Sequence, residues 1–392
     1  VYKRQTVAFD DDLRHGRSRV RPGAPRRAAA ERVVLPLERL KFPPRDLEQT
    51  LAQQLLVLDA ALEAVDRAGA PLPRDTTAVL FGAQADPEVC RYGARWRMPA
   101  WGADAAARDA VVAVLESPGV VGTMPNIPAN RVSSQLDLGG PAFTFAQEEH
   151  SGLAALRAAV RWLRDGRIDA ALGGAVDLSA EPVHEAALAA VTGRHLVSGD
   201  AAVVMVLMRE DQARAERRPI LARIDPDVAE GVAFDGAVDA SFGRAHAALG
   251  LLEVAAAVLA CAGAYRPAPG QAAAPWTGER AATVSVPMLL AETVAQVTVR
   301  ATSEAPQSVT AWAAPSRPLV RPAHPAPVAP GLDGPRAETM QMAPRLPPVP
   351  PSVAVGSRSP APADGVLPAA PQLPRITTAV KQPAVKQPAV QQ

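Results

Sequence analysis

The sequence predicts a layered α/β domain followed by a disordered tail. Up to Ala301, short β-rich runs alternate with helices that carry apolar residues at helical spacing. Some of these helices are almost wholly apolar, which indicates helices packed inside the domain. After Ala301 the alternation ends, and half of the 40 prolines of the 392-residue chain fall there. We therefore expect the core to come from roughly the first 300 residues, and the remainder to bury too little apolar surface to fold.

The spacing of apolar residues predicts five main helices. In the first, leucines recur on one face from Leu47 to Leu62, and Gly69 follows as a C-cap. The fourth begins at Glu148 or Glu149 and stops at Gly166. The predicted helices cover residues 46–68, 105–116, 126–135, 149–166 and 244–264.

Six β-rich runs between these helices predict strands. They cover residues 77–83, 142–146, 168–179, 201–210, 283–289 and 295–301. The third carries Gly173-Gly174, which lacks the spacing and the lysine of a phosphate loop, so close packing explains the pair. Residues 1–30 are rich in Arg, Gly and Pro and predict a loop or linker.

Composition excludes several classes of function. The net charge of +1 and the 4% aromatic content argue against nucleic acid or an anionic membrane as the main partner. We expect no membrane span, no signal peptide and no bound cofactor. Cys90 and Cys261 form neither a disulfide framework nor a metal motif, so the reducing cytoplasm is the expected compartment.

The most specific signal is the block from Asn126 to Ser179. It reads NIPANRVSSQLDLGGP, then a strand, a long helix and DAALGGAV at 169–176. This block resembles the β-ketoacyl synthase family, which shares NxxANRxSxxLDLxGP and a later strand of the type D-x-A-L-x-G-G-V. Weaker similarity in DDLRHGRSRVRPGAPRR, SGDAAVVMVLMRE and FGRAHAALGLLEVAAAVLA extends the resemblance over roughly residues 10–300.

The resemblance implies a thiolase-like layered α-β-α-β-α fold in abbreviated form. On this interpretation residues 1–30 are a truncated lead-in whose first family strand lies upstream of Val1. Residues 31–301 are the ketosynthase-like domain, and residues 302–392 are an Ala/Pro-rich disordered linker. The segment PPRDLEQ is similar to accessory ketosynthase-like domains of polyunsaturated fatty-acid and glycolipid synthases.

The residues that the family needs for condensation are expected to be lost. The resemblance implies a cysteine at the start of a buried helix, where the helix dipole lowers the thiol pKa, and two histidines. Counting from Gly140-Pro141, Glu149 occupies the cysteine position. Arg244 occupies the position of the second histidine, and the HGTGT segment that carries the first is absent from the sequence. A carboxylate is a poor nucleophile toward a thioester and repels a malonyl carboxylate.

Neither cysteine is expected to replace the nucleophile, because Cys90 precedes the motif and Cys261 lies inside a later helix. His246 lies about 200° around the predicted helix from Arg244 and could serve only if the helix start shifted.

The remaining candidates are interpreted as structural. Glu149 is expected to cap its helix, with a partly exposed His150 beside it. His184 and His195 are expected to be loop residues and not metal ligands. The stretches at 178–198 and 224–241 are shorter than in the family, so two walls of the active site are expected to be missing.

The favoured hypothesis is a non-condensing, chain-length-factor-like domain that supports acyl chain elongation in a multidomain fatty-acid or polyketide synthase. Its expected partners are an active ketosynthase, in a dimer, and an acyl carrier protein. The resemblance implies that residues 142–146 pair across the dimer axis, with Phe143 and Phe145 shaping the acyl tunnel by packing. Two alternatives stay open: a structural spacer or docking module, and an acyl-thioester decarboxylase or hydrolase that uses Glu149 as a general base.

Overall fold

The computed structural model describes residues 5–303, except 22–26, 31–32, 34 and 235. All of these residues belong to one compact unit with limits at Val1 and Pro348. The predicted linker at 302–392 lies outside the described residues from residue 304 onward. Thr302, at its start, is still part of the fold, because its buried hydroxyl donates a hydrogen bond to the carbonyl of Ile220.

The described residues form helices and strands in alternation. The helices are α1 Gln5–His15, α2 Pro44–Glu48, α3 Ala52–Arg67, α4 Pro87–Arg97, α5 Ala105–Val111, α6 Ser117–Thr123, α7 Ile127–Leu136, α8 Ser151–Arg164, α9 Pro182–Thr192, α10 Glu210–Ala215, α11 Ala237–Phe242 and α12 His246–Gly263. The strands are β1 Arg27–Ala28, β2 Thr77–Ala83, β3 Ala142–Phe145, β4 Ala170–Leu178, β5 Ser198–Met208, β6 Ala222–Asp225, β7 Val232–Ala233, β8 Tyr265–Ala268, β9 Gln271–Pro275, β10 Ala281–Pro287 and β11 Val294–Ala301.

The first sheet has five strands in the order β1-β5-β4-β2-β3. Strand β2 is parallel to β3 and β4, whereas β5 runs antiparallel to β4. Every residue of β2 and β4 is buried, which explains why both strands are continuous apolar runs instead of alternating ones. On its outer side β5 pairs with β1 only at Ser198 and Gly199, and a cavity of about 1620 Å³ lies along the rest of that edge in the described structure.

A second sheet has the order β6-β11-β10-β7, and β8 and β9 form a separate hairpin. Helix α12 lies between the two sheets, because one apolar cluster joins its residues to Val203 of β5 and to Val284 and Val297 of the second sheet. Helices α3 and α7 pack on the opposite face of the first sheet. These layers agree with the predicted thiolase-like α/β architecture.

Helix α12 has the length and apolar composition of a membrane-crossing helix, and it is the one helix among the described residues that does. Yet 83% of that stretch is buried inside the protein. Its position between two sheets explains its composition, because a helix that is apolar all round is buried on every side.

Helix α1 corrects the prediction that residues 1–30 are a loop. Leu13 is buried, and the hydroxyl of Tyr265 donates a 2.8 Å hydrogen bond to Asp10. The guanidinium of Arg14 lies 4.2 Å from the centroid of the Tyr265 ring. The helix is therefore held by contacts with a residue more than two hundred positions away, which no local sequence pattern reveals.

The predicted helix at 46–68 is two helices, α2 and α3, in the structure. The break occurs because the backbone N–H of Leu51 donates to the carbonyl of Gly122 at 3.2 Å. The two segments meet closely: a Cβ on Gly122 would lie only 2.5 Å from the carbonyl oxygen of Gln49. The predicted helix at 105–116 likewise ends early, as α5, and α6 follows it.

Asp59 on α3 gives a stability prediction. Burial, and then the charge of Glu63, raises the pKa of this carboxyl to about 6, against an opposing effect of Arg39. Because the folded state binds a proton more tightly than the unfolded chain, stability falls as pH rises from about 4 to about 6. Asp59→Asn is therefore expected to raise the free energy of unfolding at pH 7.5 by about 1–2 kcal/mol, and to change it little at pH 4.

Urea unfolding at a series of pH values measures this effect. Asp211→Asn is the matched control, since Asp211 is an exposed helical aspartate. Parallel stability–pH curves for the wild type and Asp59→Asn would contradict the prediction.

Candidate functional site

The first turn of α8 is fixed against the sheet by two glycines. A Cβ on Gly82 would lie 2.3 Å from the backbone nitrogen of Gly152, and a Cβ on Gly152 would lie 2.9 Å from that of Ala175. Only glycines allow β2, β4 and α8 to approach so closely. The preceding turn is tight as well: Glu148 has a φ of 49°, and Ser151 Oγ donates to the Glu148 carbonyl at 2.7 Å.

Glu149 lies at the position where the sequence resemblance placed the family cysteine. It is only 2% exposed. It precedes α8, which begins at Ser151 and not at Glu148 or Glu149 as predicted. The backbone N–H of Leu289 donates to its Oε1 at 3.2 Å. Glu149 therefore holds the end of β10 and does not cap the helix as expected.

Two basic side chains lie beside Glu149. Arg244 Nη2 and His246 Nδ1 are each 3.9 Å from Glu149 Oε1. Arg244 also pairs with Asp239 at 2.9 Å. The carboxylate at the cysteine position is thus buried among positive or ionisable groups, as a buried charge requires.

The placement of His246 was wrong at the sequence level. Arg244 does not belong to α12: it forms a β-bridge with Ser198, and the helix begins at His246 with a φ of 30°. This kink brings His246 to Glu148, with His246 Nε2 2.9 Å from Glu148 Oε2. The two residues joined by this contact both have positive φ, an arrangement that costs energy for residues other than glycine.

His150 is buried, contrary to the expected partial exposure. Its Nε2 lies 2.8 Å from the carbonyl oxygen of Val286, so the ring donates that hydrogen bond to β10. Glu149 and His150 both attach the start of α8 to the second sheet. Their neighbouring positions in sequence therefore serve packing in this structure.

A cleft of about 260 Å³ opens next to these residues. It is lined by Gln53, Gln84, Ala85, Asp86, Pro87, Glu148, Asp177, Leu178, His184, Ala187, Leu188, Val191, His246 and Leu290. Glu149 is not part of this lining. The cleft thus lies beside the cysteine position and not over it.

His184 corrects a second expectation, since it belongs to helix α9 and not to a loop. Pro182 begins that helix, and the Glu181 side chain accepts hydrogen bonds from the N–H groups of Val183 and His184, at 2.7 and 3.1 Å. The His184 ring meets the His246 ring edge to face, with centroids 5.2 Å apart. A proline after a capping acid is a helix-start signal that could have revealed α9 from the sequence.

Asp177 and Asp86 were missed by sequence reasoning. Asp177 ends the apolar run of β4 and is buried, with hydrogen bonds from Ser179 Oγ at 2.7 Å and the N–H of Ala247 at 3.3 Å. Burial raises the pKa of Asp177, against the opposing charges of His246 and His184. Burial also raises the pKa of Asp86, to about 6. A charged residue inside an apolar strand is the signal that could have identified Asp177.

The other predicted residues lie apart from this cluster. Cys90 is exposed on α4. Cys261 is buried in α12, and burial raises the pKa of its thiol to about 12, so it is inert. His195 is exposed after α9. Among the described residues no group of three or more His, Cys, Asp or Glu side chains could hold a metal ion.

Phe143 and Phe145 lie on β3, the edge strand of the first sheet. Phe143 is 51% exposed, and its ring meets that of Trp162 edge to face at 5.9 Å. Phe145 is half-buried and packs against a small apolar cluster with Ala155 and Leu163 of α8. The free edge of the sheet therefore presents one exposed aromatic ring and one partly covered ring.

Comparison with known proteins identifies the family. Residues 36–213 match the family described as "Beta-ketoacyl synthase, N-terminal domain". The chain is 38% identical over 125 residues to the phthioceranic/hydroxyphthioceranic acid synthase of Mycobacterium tuberculosis (strain ATCC 25618 / H37Rv), which is 28% of this chain and 6% of that protein. It is 32% identical over 175 residues to polyketide synthase GfsA of Streptomyces halstedii, covering 44% of this chain and 2% of that protein. The chain thus spans less than a tenth of these relatives.

Solved structures agree on the fold. The ketosynthase from module 6 of the bacillaene synthase of Bacillus subtilis 168 superimposes with a TM-score of 0.57 at 18% identity, over 76% of this chain and 69% of that one. The oxazolomycin ketosynthase domain OzmH KS8 of Streptomyces albus JA3453 gives a TM-score of 0.52 at 18% identity, over 77% and 92%. With the thiolase-like fold of ketosynthases and the matched segment at 36–213, the chain belongs to the β-ketoacyl synthase family.

Proposed function

We propose that this ketosynthase-like domain is non-condensing and supports acyl chain elongation by an active ketosynthase. The observation that carries the proposal is Glu149. This residue stands at the nucleophile position, is buried and is already engaged by the N–H of Leu289. Condensation requires a thiolate that attacks an acyl thioester, and a carboxylate at this position cannot supply it.

The environment of Glu149 supports the same proposal. The side chains nearest to its Oε1 are Arg244 and His246, each 3.9 Å away. They surround the carboxylate where an active member would present an open thiol. Cys261 is buried in α12 and Cys90 is exposed on α4, so neither thiol lies at the start of α8.

The edge strand β3 supports a role as a partner. It pairs with β2 on one side, and its other edge is open in the described structure. Unpaired edges are templates for pairing with a second chain. The exposed ring of Phe143 would add apolar area to such an interface. We infer a dimer with an active ketosynthase through β3, in which Phe143 and Phe145 influence product length by packing.

The geometry disfavours the hydrolase or decarboxylase alternative. A general base must lie within hydrogen-bond reach of the proton that it removes. Glu149 is buried, accepts from a backbone N–H and does not line the neighbouring cleft. The spacer alternative makes no demand on this site and is separated from the main proposal by the experiment below.

The test is co-expression of the full chain with the active ketosynthase of its own synthase. We expect the two to co-purify. Phe143→Asp should weaken their association by roughly tenfold or more, because it places a charge in an apolar interface, and Phe143→Ala or Phe145→Ala should shift the length of the acyl product. Association and product length are measured by analytical ultracentrifugation and mass spectrometry.

Val294→Asp is the matched control, because it charges an exposed apolar residue on β11 of the second sheet. Failure to co-purify, together with unchanged products, would leave only the spacer function. Turnover of an acyl thioester by this chain alone, abolished in Glu149→Gln, would replace the proposal with the enzyme alternative.

A further inference from the structure

The cleft beside Glu149 has a composition that selects for positive charge. Three carboxylates line it: Asp86, Glu148 and Asp177. No lysine or arginine is among its lining residues. The carboxylates come from three separate parts of the fold: the start of α4, the turn before α8 and the end of β4.

Nearby arginines are already paired outside the cleft. Arg91 forms ion pairs with Glu88 and Glu181. Arg244 pairs with Asp239. The negative charge of the cleft is therefore balanced by histidines alone among its lining side chains, and His246 is committed to Glu148 at 2.9 Å.

His184 supplies an independent sign of a ligand position. Its Nε2 is buried and has no hydrogen-bond partner among the described residues. Burial lowers the pKa of His184, partly against the charge of Asp177, so the ring is neutral at pH 7. With its proton on Nδ1, a neutral imidazole presents Nε2 as an acceptor, and a buried acceptor without a donor costs free energy.

The size and the far wall of the cleft limit what it can hold. About 260 Å³ corresponds to roughly eight or nine non-hydrogen atoms at the volume that a water molecule occupies. Leu188 and Val191 of α9 and Leu290 form an apolar part of the lining. A ligand that fits has a small polar head and a short hydrocarbon chain.

We propose that this cleft binds a small primary ammonium ligand with a short apolar chain. The ammonium group has three donors and no acceptor, which matches Asp86, Asp177 and the free Nε2 of His184. Charge-assisted hydrogen bonds to two carboxylates fix the head. The hydrocarbon chain lies against Leu188 and Val191. This inference concerns binding by this chain alone and does not rest on the proposed dimer.

The affinity depends on pH in a defined direction. The groups that face the cleft are Asp86 at the start of α4, Glu148 before α8, Asp177 on β4, His184 on α9 and His246 on α12, with Glu88 and Glu181 behind them. Because burial raises the pKa of Asp86 to about 6, this carboxyl gains a proton as pH falls below 6 and loses its attraction for a cation. Binding of the ammonium ligand is therefore weaker at pH 5 than at pH 7.5.

Isothermal titration calorimetry of the full chain tests the proposal with n-butylammonium, butyrate and 1-butanol as probes. We expect saturable binding of n-butylammonium at pH 7.5, at least tenfold weaker binding of 1-butanol, and no binding of butyrate. Asp86→Asn should weaken n-butylammonium binding by roughly tenfold, since it removes one charge-assisted hydrogen bond. Asp177→Asn should have a similar effect.

The matched control is Asp104→Asn. Asp86 and Asp104 are both N-caps, of α4 and α5, and asparagine keeps the cap, so both variants should fold. Only Asp86 lines the cleft. The proposal is overturned if n-butylammonium does not saturate the wild-type chain, if butyrate binds equally well, or if Asp86→Asn and Asp104→Asn bind n-butylammonium as the wild type does.

Discussion

Replacing Gly82 with alanine is expected to lower the free energy of unfolding by about 3 kcal/mol or more. The new Cβ would lie 2.3 Å from both Gly152 N and the carbonyl carbon of Ser151, and these are backbone atoms that no side-chain rotation can move away. Strand β2 and helix α8 must separate to admit it. Overpacking of this kind commonly costs 1–3 kcal/mol, and a clash with backbone lies at the upper end or beyond.

Urea denaturation followed by circular dichroism measures the loss. Gly93→Ala is the matched control, because a Cβ there meets nothing within 4 Å and Gly93 lies within helix α4. That variant should be neutral or slightly more stable, since alanine is the better helix former. Equal stability of Gly82→Ala and the wild type would show that β2 and α8 are not held at this distance.

Phe81→Ala is expected to destabilise the protein by about 3–5 kcal/mol. Its side chain is completely buried in the cluster between the first sheet and α3, and its ring fills the space that a side chain on Gly174 would take, 2.7 Å from that Cβ position. Removing the ring leaves a cavity that rigid β2 and β4 cannot close. Thermal and urea unfolding would both report the loss.

Phe143→Ala provides the comparison on the same sheet. Phe143 is half-exposed and its ring contacts Trp162, so its truncation should cost at most about 1 kcal/mol. This difference separates packing inside the domain from packing at its edge. It also shows whether Phe143 variants remain folded in the association experiment. A loss in Phe143→Ala as large as in Phe81→Ala would contradict the open edge.

The first sheet could be predicted from the sequence because its central strands are buried on both faces. Strand β2 was predicted at Thr77–Ala83, where it lies, and β3 to within one residue. A continuous apolar run bounded by turns is a local signal. Helix α1 carries no such signal: its acidic stretch reads as linker, and its stability comes from Tyr265 at the far end of α12.

The site divides in the same way. Counting along a motif placed Glu149 correctly, because the distance from Gly140-Pro141 to α8 is a property of one short segment. The position of His246 was inferred from ideal helical geometry, and it failed because the backbone turns at Arg244 to bridge Ser198 before α12 begins. The cleft joins Asp86 and Asp177, which are far apart in sequence, so no spacing rule could have assembled it.

The open outer edge of β5 has a consequence for handling the protein. Beyond Gly199 this strand presents its N–H and C=O groups to a large cavity, while its side chains alternate between the two cores like those of an interior strand. Such an edge lacks the charges, prolines and bulges by which natural proteins prevent strands from joining. Concentrated solutions of the chain should therefore lose material to edge-to-edge aggregation, and a covering peptide or fusion would act as a solubility aid.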